Sequence, residues 1–411
     1  MRNSLLFIAL NGHQRRYFRA LGAYLQTDYN IYHVDYSVAN IANSFINTQI
    51  SDELDISQSE IDAIIHFLLI KAQHRKFGFL RRFLHSRSVL IRQTNAAINY
   101  FYDFIKKNNI DMVCVWNGTL PPLGAATCVA KKLGLQTMYF ENGYLPNTTT
   151  VDPRGVNNNN SLVGQLRTFY EAVPIDANKL QNVYIKPPAI RELKSRWYQR
   201  LFKRKPIGQA EDVQLPERYV LIPFQVHDDT QVLLHSPHIK TMPELMDFVV
   251  PAVDQHNKRT GDNLRIVAKE HPSDFGRTDY HDLQEKYYNK VMFLRYYPTP
   301  ELIKQAKAII TINSSVGIEA LLAHKPVLTI GNAFYNVPDL VDHIANFEDL
   351  IVRLESIDKP VDAKLIDAFI YYLRYFYLAE GSWRNPDQNH FISVSNKLAQ
   401  VLEKNKSQQA P

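Results

Sequence analysis

Only two cysteines, Cys114 and Cys128, occur in 411 residues. That excludes a disulfide framework or a thiolate metal cage and fits a reducing compartment. No Gly-x-Gly-x-x-Gly and no Walker A motif is present, so phosphate is not held by a glycine-rich loop. His-Glu-x-x-His and Cys-x-x-Cys are missing as well. There is no Asp-x-Asp, hence no sign of a divalent metal bridging to a nucleotide sugar. His227, His235 and His238 are the one histidine group, and no strand or helix spacing brings them together. No metal and no cofactor is therefore expected. No apolar run reaches about 18 residues, so no membrane-spanning helix is expected. Met1 to Leu10, with one arginine and a short apolar stretch, reads as a buried strand and not a signal peptide.

The composition that is present, 45% hydrophobic and 11% aromatic, is that of a globular protein. The length suits two domains of about 200 residues each. The net charge of +6 is modest, but its distribution is uneven. Between Asp62 and Asp103 no acidic residue occurs, while Lys71, Arg75, Lys76, Arg81, Arg82, Arg87 and Arg92 do. In the second basic segment, 186–205, Glu192 is the only acidic residue. Segments 71–92 and 186–205 suit contact with an anionic membrane; the plainer alternative is a solvated helix face and a linker. Without a helix-turn-helix, zinc-finger or RNA-binding signature, nucleic acid is not an expected partner. The expected location is cytoplasmic, peripheral on the inner membrane where those segments dock.

Strand and helix patterns alternate along the chain, which argues for parallel βαβ units. Expected strands are Ser4–Leu10, Tyr29–Val34, Met112–Trp116, Gln136–Phe140, Tyr219–Pro223, Leu264–Ala268, Val291–Leu294, Ala308–Ile312 and Pro326–Ile330. The segment 143–161 reads as a long polar loop of the kind that carries function. The fold class is α/β, with two Rossmann-like domains facing a central cleft. Residues 1–205 form the first domain, 206–380 the second, and 381–411 a helical tail that packs back on the first.

Two polar clusters stand where strands end, the edge at which open α/β sheets bind ligands. Lys269-Glu270-His271-Pro272 follows one strand and Asn313-Ser314-Ser315-Val316-Gly317-Ile318-Glu319 follows another. The second cluster opens a helical pattern, so its hydroxyls and backbone N–H groups suit a phosphate or nucleotide. Pro272 holds His271 extended, with its ring placed to donate to a leaving phosphate. Glu319 suits ribose hydroxyls, or is an ordinary exposed helix glutamate. Glu141 ends a strand before Asn142-Gly143, where a carboxylate faces the cleft or caps a turn. Gln225, Asp228, Asp229 and Gln231 set paired carboxylates beside amides, for a nucleophile and its orienting groups or for an Asx turn.

With these blocks the chain resembles the bacterial capsular polysaccharide synthesis family of retaining β-Kdo glycosyltransferases. The matching blocks are 141–143, 150–157, 225–231, His271-Pro272, and 313–319 with Lys325-Pro326-Val327, in that order. The resemblance implies a GT-B fold, with acceptor binding mainly in the N-terminal half and CMP-Kdo binding mainly in the C-terminal half. It implies a lipid-linked saccharide acceptor. Asp229 would be the nucleophile, with Asp228 its rival, and Glu141 the acid/base. His271 would stabilise the leaving phosphate, and Pro272, Asn313, Ser314, Ser315, Gly317 and Glu319 would form the nucleotide site. Gln225, Gln231 and Asn157 would contact substrate, and Lys269 and Arg154 would pair with the Kdo carboxylate. Where GT-B sialyltransferases carry an acidic-Asp-Gly block, this chain has Glu141-Asn142-Gly143.

Overall fold

Ser4–Ala9 (β1), Met112–Trp116 (β3), Tyr219–Pro223 (β6) and Ala308–Thr311 (β9) bury every side chain. Such strands sit inside sheets covered on both faces, which is why they read as continuous apolar runs and not as alternating ones. The computed structural model describes residues 2–36, 49–51, 53–74, 85–185 and 213–409. It contains two six-stranded sheets, one in each of two compact units. Two Rossmann-like units in one chain is the composition of a GT-B fold.

In the first unit the strand order is β12-β5-β4-β3-β1-β2. Its other strands are β2 (Asn30–Asp35), β4 (Gln136–Asn142), β5 (Thr148–Asp152) and β12 (Ala379–Glu380). β1 to β4 pair in parallel; β5 runs antiparallel to β4, and β12 antiparallel to β5. Alternate residues along a strand point to opposite faces, and the core divides accordingly. Leu6, Ile8, Val113 and Val115 pack in the cluster built with helices Gln58–His74, Arg87–Asn108 and Pro121–Lys132. Leu5, Phe7, Cys114 and Trp116 pack on the other, with Phe18 and Leu21 of helix Gly12–Leu25. Val394, Leu398 and Leu402 of helix Gln388–Gln409 complete that face.

The second unit is all parallel, in the order β11-β10-β9-β6-β7-β8. Its remaining strands are β7 (Arg265–Lys269), β8 (Val291–Leu294), β10 (Val327–Thr329) and β11 (Asp342–His343). Helix Met242–Thr260 covers one face with Leu245, Met246, Val249 and Val253. Thr241 and Glu244 form a capping box at its start, and Gly261 ends it in the left-handed region.

Two expectations change. The polar stretch 143–161 contains a strand, β5, whose five residues are all buried. Three consecutive threonines are good β-formers, and their hydroxyls find partners inside: Thr148 on Leu145 O, Thr149 on Gly381 O and Thr150 on Asn142 O. Gly143 serves the turn by close approach, since a Cβ there would lie 2.0 Å from Thr148 Oγ1. The units divide differently from the expected domains: the first is 1–161 with 374–411, the second 162–373. The expected boundary at 205/206, and basic segment 186–205, lie outside the described residues, as do residues 75–84 of the other basic segment. Among the described residues no helix is long and apolar enough to cross a membrane.

Candidate functional site

The loop after β6 and the turn after β7 bring four of the expected residues of the second unit together. Asp229 caps helix Thr230–His235: its Oδ1 accepts from Gln231 N at 3.0 Å and from Thr230 Oγ1 at 3.3 Å. The plain capping role is therefore real for one oxygen, while Oδ2 has no partner among the described residues. Burial pushes the Asp229 carboxyl above its usual range; the Gln231 N–H, the Thr230 hydroxyl and the His271 charge oppose that only in part.

His271 is extended at φ −76° and ψ 130°, as a residue before proline is expected to be. Its Nδ1 accepts the Ser273 N–H at 3.1 Å. That bond assigns the proton of the neutral ring to Nε2, the nitrogen left to donate elsewhere. Burial pulls the ring below the usual histidine range, while Asp274 and Asp229 pull the other way. Asp228 Oδ1 accepts from Arg277 Nη2 at 3.1 Å. Asp274, buried, takes the His227 backbone N–H and ring Nδ1, each at 2.8 Å. These bonds tie the two loops into one charged cluster.

Several other expected ligands also make contacts within the framework. Gln225 and Asn313 hold each other: Gln225 Nε2 donates to Asn313 Oδ1 at 3.0 Å, and Asn313 N donates back to Gln225 Oε1 at 3.2 Å. Both are buried, locking the end of β6 to the end of β9. Asn313 Nδ2 also donates to Gln231 O. The Lys269 ammonium donates to Glu270 O at 3.0 Å and Arg295 O at 2.7 Å. A buried ammonium needs such carbonyls, and through them Lys269 braces the strand ends. Gly317 is required by packing, because a Cβ would lie 2.5 Å from the hydroxyl of buried Tyr335.

The start of helix Val316–Leu322 differs in detail from the expectation. The Val316 N–H is not free but bonds Ser314 Oγ at 3.2 Å. Ser315 is exposed and makes no side-chain cap bond. Glu319 is half-buried, and burial alone lifts its carboxyl above the usual range. A desolvated carboxylate of that kind suits hydroxyl donors. Pro272 opens the short 3₁₀ turn that carries Asp274. Next to His271, buried Glu270 accepts from Gln284 Nε2 at 2.9 Å and Arg295 Nε at 2.8 Å. It lines an open cavity of about 490 Å³ with Gln284, Arg295 and Tyr296, and neither Asp229 nor His271 reaches that cavity.

In the first unit, Glu141 lies within β4, paired across to Thr150. Its Oε1 accepts Asn142 N at 2.8 Å and Asn142 Nδ2 at 2.9 Å, and its Oε2 accepts Asn117 Nδ2 at 2.9 Å. Asn117 ends β3 in the left-handed region, at φ 62°. Asn142 is itself oriented by Trp383, whose Nε1 donates to Asn142 Oδ1 at 2.9 Å. Trp383 packs on Trp116 with ring centroids 4.2 Å apart. Arg154 is exposed, its backbone N–H bound to Asp152, and Asn157 N donates to Tyr144 Oη at 2.9 Å. Among the described residues no three His, Cys, Asp or Glu side chains gather as a metal site would require.

The sequence reading missed Arg277, Asp274, Asn117 and Trp383. Asn117-Gly118 at the end of β3 was the one local signal; the others come from loops or from the distant tail.

Fold and site together define an α/β protein of two Rossmann-like units with polar clusters at its strand ends. Residues 178–382 match the model of the capsule polysaccharide biosynthesis protein family. The chain is 32% identical over 304 residues to Protein FixF of Sinorhizobium fredii, covering 72% of this chain and 68% of that one. It is 26% identical over 318 residues to the capsule polysaccharide export protein KpsS of Escherichia coli, covering 66% and 78%. Among solved structures, KpsC of Thermosulfurimonas dismutans, a β-Kdo 2,7 transferase, aligns with TM-score 0.47 and 15% identity over 96% of this chain and 100% of that one. The chain belongs to the capsule polysaccharide biosynthesis family.

Proposed function

We propose that this protein is a glycosyltransferase that moves Kdo from CMP-Kdo to a lipid-linked glycan acceptor during capsule assembly, with retention and without a metal. One observation carries the reading. Asp229 presents a desolvated carboxylate oxygen without a partner among the described residues, in the same cluster as a histidine whose Nε2–H is left to donate. Family membership sets the biosynthetic context.

Asp229 Oδ2 attacks the anomeric carbon and displaces CMP, forming a glycosyl ester with inversion. His271 donates from Nε2 to the departing phosphate, and Ser314 and Ser315 receive it. Glu319 accepts from the ribose hydroxyls. Glu141 takes the proton of the acceptor hydroxyl, which attacks the ester with a second inversion. Two inversions give retention, the logic of two-carboxylate glycosidases. Asp228 is engaged by Arg277, which favours Asp229 as nucleophile. Basic segments 71–92 and 186–205 dock the enzyme on the anionic inner leaflet.

Intact-protein mass spectrometry after incubation with CMP-Kdo tests the reading. A single Kdo adduct is expected on the wild-type protein and none on Asp229→Ala, with transfer reduced on the order of 10³-fold or more. Full transfer by Asp229→Asn removes the covalent step. Turnover of CMP-sialic acid, with CMP-Kdo ignored, moves the protein to a different acidic sugar.

A further inference from the structure

The turn after His271-Pro272 carries Arg277, a permanent cation among the reacting groups. Its Nη2 donates to Asp228 Oδ1 at 3.1 Å, and its Nη1 lies 3.7 Å from Asp274 Oδ1. Asp228 is the neighbour of Asp229, and the charges of Asp229 and Arg277 both reach the His271 ring. The Arg277 side chain is 39% exposed, while Asp228 and Asp274 beneath it are 10% and 1% exposed. Two carboxylates and Ser273 O, which accepts from Nη1 at 3.5 Å, thus orient a guanidinium that stays part exposed.

A keto-acid sugar bears its carboxylate directly on the anomeric carbon. An attacking aspartate must therefore approach an electrophilic carbon flanked by a carboxylate, in surroundings dry enough to raise the pKa of the nucleophile. A fixed cation beside both carboxylates removes that repulsion. Within the second unit the Lys269 ammonium already donates to two backbone carbonyls, whereas the Arg277 side chain is part exposed. A guanidinium has five N–H donors in a planar fork, matched to a carboxylate. Asp228 holds that fork in orientation.

We propose that Arg277 binds the anomeric carboxylate of the donor and so selects acidic keto sugars over neutral ones. The proposal rests on the transferase reading above and names the group within that site that recognises the substrate class.

The test compares CMP-Kdo turnover with inhibition by CMP, which shares the nucleotide but lacks the sugar carboxylate. Arg277→Gln is expected to lower kcat/KM for CMP-Kdo roughly 10- to 100-fold, the loss of a charge-assisted hydrogen bond. Inhibition by CMP stays within about twofold, since the phosphate is held elsewhere. Arg277→Lys, which keeps charge without the fork, falls between the two. Wild-type kcat/KM in Arg277→Gln overturns the proposal and leaves the transferase reading standing. An equal loss for CMP and CMP-Kdo also overturns it, because Arg277 then shapes the loop or holds the phosphate. A wild-type protein that binds CMP but does not turn over CMP-Kdo overturns both.

Discussion

The two carboxylates at the centre of the proposal live in opposite surroundings. Asp229, in the second unit, is desolvated among charges, with Asp228, His271 and Arg277 in the same cluster. Glu141, in the first unit, takes hydrogen bonds from the neutral amides of Asn117 and Asn142. Burial raises the energy of a carboxylate and makes it a better nucleophile; amide donors stabilise it and fix its direction. The first surroundings suit attack on carbon, and the second suit accepting a proton at a defined place. The sheets differ in the same sense. β6 to β11 form an all-parallel sheet whose cluster sits on loops between neighbouring elements. The first sheet is finished by antiparallel β5 and β12, and a residue from the distant tail reaches back to its site.

The comparison predicts that the two carboxylates fail at different steps. Glu141→Gln is expected to slow transfer about 10²- to 10⁴-fold, the usual worth of a general base. The Kdo adduct on Asp229 still forms and accumulates, because the first step does not use Glu141. Loss of the adduct together with transfer would show instead that Glu141 acts before the ester forms. Trp383→Phe keeps an aromatic ring over Trp116 but removes the donor to Asn142. Its expected effect is up to about tenfold on the acceptor step, the size of one hydrogen bond, with adduct formation unchanged. An unaltered acceptor step would reduce Trp383 to packing.

The smallest effect concerns stability. Asp229→Asn keeps an N-cap side chain while removing a desolvated charge. A carboxyl raised in the folded state binds protons more tightly there than in the unfolded chain. Stability conferred relative to the neutral variant is therefore lost as pH rises from the unfolded pKa toward the folded one. Above that window Asp229→Asn is expected to melt up to a few degrees higher than wild type. At pH below the ordinary carboxyl range, near 3.8, the two proteins should melt together. A variant that melts lower at neutral pH would mean the ionised carboxylate is held by partners stronger than its burial.

How much of this was legible differs between the units for a physical reason. Strands such as Met112–Trp116 and Tyr219–Pro223 matched expectation because interior parallel strands are continuously apolar. His271 was legible because proline acts on its neighbour through local sterics. β5 was not, since its threonines look polar and only the fold supplies the carbonyls that satisfy them. The framework bonds of Gln225, Asn313 and Lys269 were not legible either, because the sequence shows donors and acceptors but not which pair with one another.

Local chemistry, then, was written in the chain: alternating strands and helices, the polar loops at strand ends and the proline-fixed histidine. Tertiary structure alone decided which polar groups are spent on the framework and which are left for a ligand. Hydrogen bonds between residues tens to hundreds of positions apart, such as Trp383 to Asn142, Gln225 to Asn313 and Arg277 to Asp228, leave no periodic trace for a reader of the sequence.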